Sequence, residues 1–341
     1  MGNAASRIAP FGFVAGAAGL LLWLSGYPPI KSFEILIEST WRSPAGLALL
    51  LTKTTPLILT GLTVVMAFRG GFFNIGGEGQ LYAGGISSAL VGVLDLGVPA
   101  PVHILLSIGV GVLAGSLWGA LAGYLRAWRG VHEVIGTILL NFIALHLVNY
   151  LALGPLSAGE GVARTAYIRP SAVLWVLPFP GNTLVSTGLL LSVACAFLCQ
   201  GLLYRTAIGW ETRALGENPI AARYAGISVN RYTVGLMALA GGLAGLAGAL
   251  ETCGTHHAFH AKFAPGYGFD GIAVAFLARA EPWAVIPAAL FISTLRTADS
   301  ALQFEVGVPK EMVLILEGAL IVLIAVLHQR ERARRLRGAV S

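Results

Sequence analysis

The sequence predicts an all-α, polytopic membrane protein, a helical bundle of about ten transmembrane segments, some broken or re-entrant, with both termini cytoplasmic. Three observations carry that expectation. Of 341 residues, 56% are hydrophobic and only 11% charged, against roughly 45–50% and about 25% for a soluble domain. The mean hydropathy of +0.78 leaves too few polar side chains to cover a globule of this size, so lipid must solvate much of the surface. The apolar residues also gather into runs suited to crossing about 30 Å of hydrocarbon. The 44 glycines and 16 prolines agree, since both are more frequent in membrane helices than in soluble ones.

In chain order the runs are Ile8–Leu24, Ala45–Phe68, Leu81–Leu96, Val102–Leu125, Val134–Leu153, Thr183–Tyr204, Tyr232–Leu250, a short Gly271–Ala278, Trp283–Leu295 and Met312–Leu327. The first reads as a retained helix, because Ser25–Gly26–Tyr27 before Pro28–Pro29 makes no small-residue cleavage site. With the amino terminus inside, fourteen arginines fall on the cytoplasmic side: Arg7, Arg69, Arg126, Arg129, Arg205, Arg213, Arg223, Arg231, Arg279 and five in the tail from Arg330 to Arg337. Seven basic residues fall outside, with Lys53 in the membrane. This bias sets the orientation, and it explains the net charge of +6 without nucleic acid. The whole chain, 1–341, reads as one transmembrane domain, with a cytoplasmic loop at 204–231 and a basic tail at 329–341 held by anionic lipid. Cys195, Cys199 and Cys253 form no disulfide framework and read as packing residues.

Two small-residue stripes predict close helix packing: Gly111, Gly115, Gly119 and Gly123 in one helix, and Gly235, Ala238, Gly241, Gly242, Gly245 and Gly248 in another.

Three stretches break the apolar pattern. Arg69–Gln80, RGGFFNIGGEGQ, sets five glycines around Asn74, Glu78 and Gln80. A cytoplasmic turn is one reading. Lining of a cavity, or capping of a half-helix, is favoured, because a buried Glu needs partners and a plain turn needs no such set of glycines. Glu251–Asp270 resembles a re-entrant element, since Pro265, Gly266 and Gly268 interrupt any helix and the run to Ala278 is too short to span. Its His256, His257 and His260 suggest a metal, but solvated histidines are the favoured reading because no Cys or carboxylate at usual spacing completes a ligand set. In the third stretch, Arg205–Arg231, Asn218–Pro219 offers a cap and a first-turn proline, IAARYA a short helix and Gly226 its end. Spacing alone leaves open whether that helix enters a groove on a partner protein or lies on lipid.

No lysine follows glycine, so there is no phosphate-binding GxxxxGK[ST] loop, and GxSxG, HExxH and CxxC are absent too. The chain carries no nucleotide-hydrolysing or familiar hydrolase motif.

FNIGGEGQ, ALGENPIAARYAGI and PGYGFDGIAVAFLAR, in that order, resemble the permease subunits of bacterial ABC importers for simple sugars and nucleosides, within the ribose and branched-chain amino acid permease superfamily. The resemblance runs from about Leu47 to Ile324. It implies a single permease domain in the bacterial inner membrane, forming half a pore with a second, related chain. It further implies a cytoplasmic ABC ATPase, which would hold ATP and Mg while this chain holds no cofactor, and a periplasmic or lipid-anchored binding protein, which the wide outer loop around Leu153–Pro180 would contact. Gly216, Glu217, Asn218, Pro219, Ala221, Ala222 and Gly226 match the family's ATPase-coupling loop. Asn74, Glu78, Gln80, Phe269 and Asp270 match its glycine-rich segments near the solute path. Glu317 departs from the uncharged polar residue usual there, and Lys53 is its expected partner by charge. Three alternatives follow from the same residues: a branched-chain amino acid permease, an ion-coupled secondary transporter using Glu78, Glu251, Asp270 or Glu317, and an intramembrane enzyme.

Overall fold

The computed structural model describes residues 16–159, 162–181, 183–260, 263, 266–309, 311–316 and 318–319. Glu317, Lys262, Pro265, the basic tail and the start of the first apolar run lie outside the described residues, and with them the expected Glu317–Lys53 pairing.

The chain forms two compact units, divided after Leu50 and before Leu290. In the first, α1 (16–24), α2 (Pro29–Ile37) and a π-turn at Glu38–Arg42 lead into α3 (Pro44–Arg69). Leu22 and Ile35 share a core with Ala298 and Leu302, which lie on α12 (Val285–Val306), and with Met312, Val313 and Leu316. Gly46 lies against the Ser39 carbonyl, where a Cβ would approach to 1.9 Å, so the backbone enters α3 through a turn that admits no larger residue.

The second unit, Leu51–Ala289, holds most of α3, then α4 (Gly77–Val93), α5 (Ala100–Arg129), α6 (Glu133–Leu153), a hairpin of β1 (Val176–Phe179) and β2 (Thr183–Ser186), α7 (Gly188–Arg205), α8 (Ala207–Glu217), α9 (Pro219–Tyr224), α10 (Val229–Glu251), α11 (Tyr267–Leu277) and the start of α12. α3 is buried on every side from Thr54 to Ala67, with Leu57, Ile58, Leu59, Leu62, Val65 and Met66 fully buried, as expected of a helix at the centre of a bundle. α5, α6 and α7 instead expose Leu105, Leu117, Ile135, Leu139, Phe142, Phe197 and Leu198. Apolar surface on that scale fits contact with lipid.

α4, α5 and α10 pack backbone on backbone. A Cβ at Gly115 would lie 2.4 Å from the Gly241 carbonyl, at Gly119 2.2 Å from the Met237 carbonyl, and at Gly245 2.5 Å from the Gly111 carbonyl. Gly248 meets α4 in the same way, at 2.0 Å from the Leu81 carbonyl. Both expected glycine stripes therefore do pack, with one correction: Gly235 has nothing within 4 Å and faces outward.

Six described helices are long and apolar enough to cross a membrane. The run expected from Thr183 starts as a strand, because Thr183–Ser186 pairs antiparallel with Val176–Phe179, and the helix begins only at Gly188. α12 extends past the expected Leu295 to Val306, since Ala298 and Leu302 continue a buried stripe through its polar residues. Arg205–Arg231 holds not one helix but two, α8 and α9.

Candidate functional site

α4 and α11 are short helices. With 17 and 11 residues they reach about 25 and 16 Å, short of the roughly 30 Å hydrocarbon layer. Their N-termini meet inside the protein: a Cβ at Gly268 would lie 2.1 Å from the Glu78 amide nitrogen, and one at Gly77 would lie 3.8 Å from Thr63 of α3. Thr63 is six residues before α3 ends at Arg69, so the junction lies about 9 Å along α3 from that end.

Two helix N-termini facing one another carry partial positive charge and unpaired N–H groups. Glu78, 8% exposed, answers both. Its Oε1 accepts from Gly266 N–H at 3.1 Å and its Oε2 from Gly268 N–H at 2.6 Å. The second is as short as a charge-assisted bond. Gly266 takes φ +86°, a left-handed conformation that starts α11 without strain only as glycine.

Asn74 and Gln80 hold the lead-in to α4. Their side-chain amides bond reciprocally at 3.0 and 3.2 Å, and Asn74 Oδ1 also accepts from Gly76 N–H at 2.9 Å. Asn141 of α6 completes this arrangement: Oδ1 accepts from Gly79 N–H at 2.8 Å, and Nδ2 donates to the Ile75 carbonyl at 2.9 Å. The sequence expectations passed over Asn141, although a single Asn within the apolar LLNFIALHL run was a usable signal. Asp270 lies buried in the first turn of α11, where a carboxylate suits the helix dipole, whereas Phe269 is exposed.

The short helix forms as the residues require. Asn218 Oδ1 accepts from Ile220 and Ala221 N–H, both at 3.0 Å, and Pro219 fills the first turn. At the other end, Ile227 N–H bonds the Ala222 carbonyl and Gly226 N–H the Arg223 carbonyl, with Gly226 at φ +88°. This is a Schellman end, completed by Ala222 and Ile227 meeting in one core. That core also holds Leu215, Phe72 and Ala67, which ties α9 and α8 to the lead-in of α4. Gly216 lies on the same segment, where a Cβ would be 2.3 Å from the Arg69 carbonyl and 3.1 Å from the Gly71 nitrogen. Ala222 is buried, while Ile220 and Tyr224, one turn apart, are 70% and 89% exposed. Glu217 and Ala221 are exposed as well.

Near the Arg69 end, Glu281 gathers three elements. It pairs with the Arg69 guanidinium and accepts from Tyr204 Oη at 2.8 and 2.7 Å, while Arg69 Nε donates to the Ala280 carbonyl at 2.8 Å. Arg213 of α8 lies 4.8 Å from the Tyr204 ring centroid and donates to the Leu203 carbonyl. Arg279 and Ala280 both have left-handed φ, 56° and 54°, at a cost of about 1–2 kcal/mol each.

At the far end of α10, His256 lies 3.3 Å from buried Glu251, and its ring stands 5.7 Å from that of His260. Phe259 and Phe263 pack with Tyr82 of α4. Burial, then repulsion from His256, holds the His257 imidazole below its ordinary value. The same two causes lower His260, with Arg164 adding to them and a hydrogen bond with the His256 backbone opposing them. Among the described residues no group of three or more His, Cys, Asp or Glu could hold a metal.

The chain is 36% identical over 318 residues, 92% of its length and 90% of the other's, to the guanosine ABC transporter permease protein NupP of Bacillus subtilis. To the nucleoside ABC transporter permease protein NupB of Lactococcus lactis it is 34% identical, over 93% of this chain and 88% of that one. To the glucose ABC transporter permease protein TsgB13 of Haloferax volcanii it is 34% identical, over 89% and 82%. A family model described as branched-chain amino acid transport system, permease component, matches residues 46–325. A half-helix junction and an anchored short helix thus lie within the matched segment, and the chain belongs to that permease family.

Proposed function

We propose that this chain is half of the translocation pore of an ATP-driven ABC importer in the bacterial inner membrane, with both termini cytoplasmic. The solute is a nucleoside or a simple sugar, the classes named for its relatives. A second, related permease chain completes the pore, a binding protein delivers the solute from outside, and a cytoplasmic ABC ATPase supplies the stroke and holds ATP and Mg.

The observation that carries this reading is α9. A six-residue helix is too short to persist by propensity alone, yet this one is capped at both ends and nailed to the core through Ala222 and Ile227. Its Ile220 and Tyr224 project from the other side and are largely exposed among the described residues. An anchored helix that offers two apolar side chains suits a groove on a motor protein. Lipid would require no such anchoring. Contacts that differ between ATP-bound and ATP-free ATPase then bias the bundle between outward- and inward-open states.

The junction at Glu78 and the Asn74–Gln80 pair supports a place for the solute path beside α4 and α11. Broken helices whose backbone groups are satisfied within protein are the usual frame of a transport site. The family description favours one further reading, branched-chain amino acids as solute.

To test the reading, the chain is reconstituted with its partner subunits and uptake of guanosine, glucose and leucine is measured. Uptake of guanosine or glucose that requires ATP, and is abolished by Tyr224→Ala with Ile220→Asp while the variant remains monodisperse, is the expected outcome. ATP-dependent leucine uptake alone would reassign the solute. Accumulation by the isolated chain, collapsing with an uncoupler, would reject the ABC assignment in favour of ion coupling.

A further inference from the structure

The contacts made by α8 and α9 reach both half-helices by separate routes. One route runs along backbone and apolar packing. Gly216 rests on the Arg69 carbonyl and the Gly71 nitrogen, and Leu215 shares a core with Phe72. These contacts seat α8 against the Arg69–Phe72 stretch that leads into α4.

The other route is polar. Arg213 of α8 covers the Tyr204 ring and bonds the Leu203 carbonyl. Tyr204 donates to both carboxylate oxygens of Glu281, and Arg69 grips Glu281 and the Ala280 carbonyl together. Glu281 follows α11 by one turn, Leu277 being that helix's last residue. The N-terminus of α11 is in turn bound by Glu78 of α4. The two routes leave α8 in different directions and meet again at the Glu78 junction.

We propose that Glu281, held by Tyr204 and Arg69, is the joint that passes movement of the α8–α9 pair to the half-helix α11, and is thus a positioning residue for transport. This rests on the reading of α9 as the ATPase-coupling helix. Three features separate the joint from an incidental surface ion pair. The carboxylate has charged or polar partners from α3 and α7, and α8 is linked to it through the Tyr204 ring. The Arg69 and Glu281 side chains are only 27% and 34% exposed, so water competes weakly for them. The turn it serves contains two consecutive left-handed non-glycine residues, Arg279 and Ala280, a costly conformation held by the turn's own bonds to the Phe276 and Ala275 carbonyls together with the Arg69 bond to the Ala280 carbonyl. When Tyr204 and Arg69 move relative to each other, this turn has a more relaxed state available to it, and α11 moves with it.

The test uses the assembled complex with its binding protein, carrying Tyr204→Phe, Glu281→Gln, or the charge exchange of Arg69→Glu with Glu281→Arg. Basal ATP hydrolysis, solute-stimulated hydrolysis and solute moved per ATP are measured. Tyr204→Phe and Glu281→Gln are expected to lower solute moved per ATP by about tenfold, the loss of one hydrogen bond to a charged group, with basal hydrolysis within about twofold of the unaltered complex. The exchanged pair is expected to recover part of the coupling that Arg69→Glu alone removes. Unchanged solute per ATP in both single variants overturns the proposal. Parallel loss of hydrolysis and uptake in every variant, the mark of a merely structural contact, overturns it equally. If the unaltered complex shows no ATP-dependent uptake, the underlying transport reading fails before the joint is at issue, so the two failures are distinct.

Discussion

The seam between α5 and α10 and the junction between α4 and α11 solve the same problem, close approach of two helices in a bundle, by opposite means. The seam is a row of glycines on each side, Gly111, Gly115 and Gly119 against Gly241 and Gly245, with Gly123 continuing the row against Val234 and Met237. Nothing there needs a charge. The junction is a single point where two N-termini meet, and it is closed by one carboxylate, Glu78, and amide side chains. Packing spread over four turns has no neighbouring arrangement of similar energy, because sliding one helix drives glycines out of their slots. A junction closed by two hydrogen bonds can open at the cost of those bonds and find others. The molecule thus combines a glycine-packed frame, α4–α5–α10, with a junction that a single carboxylate on α4 closes.

The largest effect is expected at the seam. Gly115→Leu or Gly241→Leu puts a side chain where even a Cβ lies 2.4 or 2.2 Å from a partner carbonyl. Overpacking with no room to relax costs upward of about 3 kcal/mol, and loss of monodisperse protein on size exclusion is the expected result. Gly235→Leu, on the same helix but in open space, is expected to leave the protein intact. If both variants behaved alike, the seam would not be the frame.

At the junction the expected order is milder and graded by chemistry. Glu78→Ala leaves the Gly266 and Gly268 N–H groups without their acceptor, worth about 3 kcal/mol in all. Glu78→Gln keeps an acceptor oxygen but loses the charge between the two helix ends, about half that loss. Thermal unfolding would rank the two, while uptake is expected to fall in both before the fold is lost. Equal behaviour of Gln and Glu would show that the charge is unused and that the junction differs from the seam only in atom types.

These two regions were not equally visible beforehand. The seam was legible because a four-residue glycine period is a local property of one helix, and only Gly235 strayed from it. α9 was legible for the same reason: Asn218, Pro219 and Gly226 act within a few residues of themselves. The junction was half legible. Buried Glu78 announced a need for partners, but those partners are Gly266 and Gly268, 188 and 190 residues along the chain, and glycines advertise nothing about which acceptor their N–H groups will find. Glu281 was not legible at all, since its meaning depends on Tyr204 and Arg69 arriving from two other helices. The β-hairpin at Thr183 was hidden inside an apolar run, where four residues of strand are indistinguishable from the start of a helix.

A smaller effect is expected at α9, whose local construction resembles neither the seam nor the junction. Asn218→Ala removes the acceptor for two N–H groups and is expected to cost about 1 kcal/mol. Gly226→Ala forces a β-carbon into a left-handed φ and costs a similar amount, about 1 kcal/mol. Neither loss unfolds the bundle. Both should appear as faster amide hydrogen exchange confined to residues 219–225, with reduced solute-stimulated ATP hydrolysis in the complex. Exchange that stayed slow there would mean that the core contacts of Ala222 and Ile227 hold α9 without its caps.

The smallest effect extends the polar half of the comparison to the segment between α10 and α11. There His257 and His260 precede Gly266 in the chain, and the Ile168 and Thr165 amides bond the His257 and Phe259 carbonyls at 2.9 Å. Burial and the neighbouring His256, with Arg164 beside His260, hold both imidazoles below their unfolded value of 6.5. As the pH falls, the unfolded chain therefore takes up these protons first. The stability the two neutral rings contribute is whole above pH 6.5, declines as the pH drops below it, and stops declining once the folded values are passed. Thermal unfolding of the purified chain at about pH 7.5 and about pH 5.5 should differ by a few degrees at most, since both rings are partly solvated. His257→Gln with His260→Gln should remove that difference and leave the Glu78 variants in the same order. If the difference survived the double substitution, protonation elsewhere would be responsible, and this end of the segment would belong with the rigid frame and not with the junction.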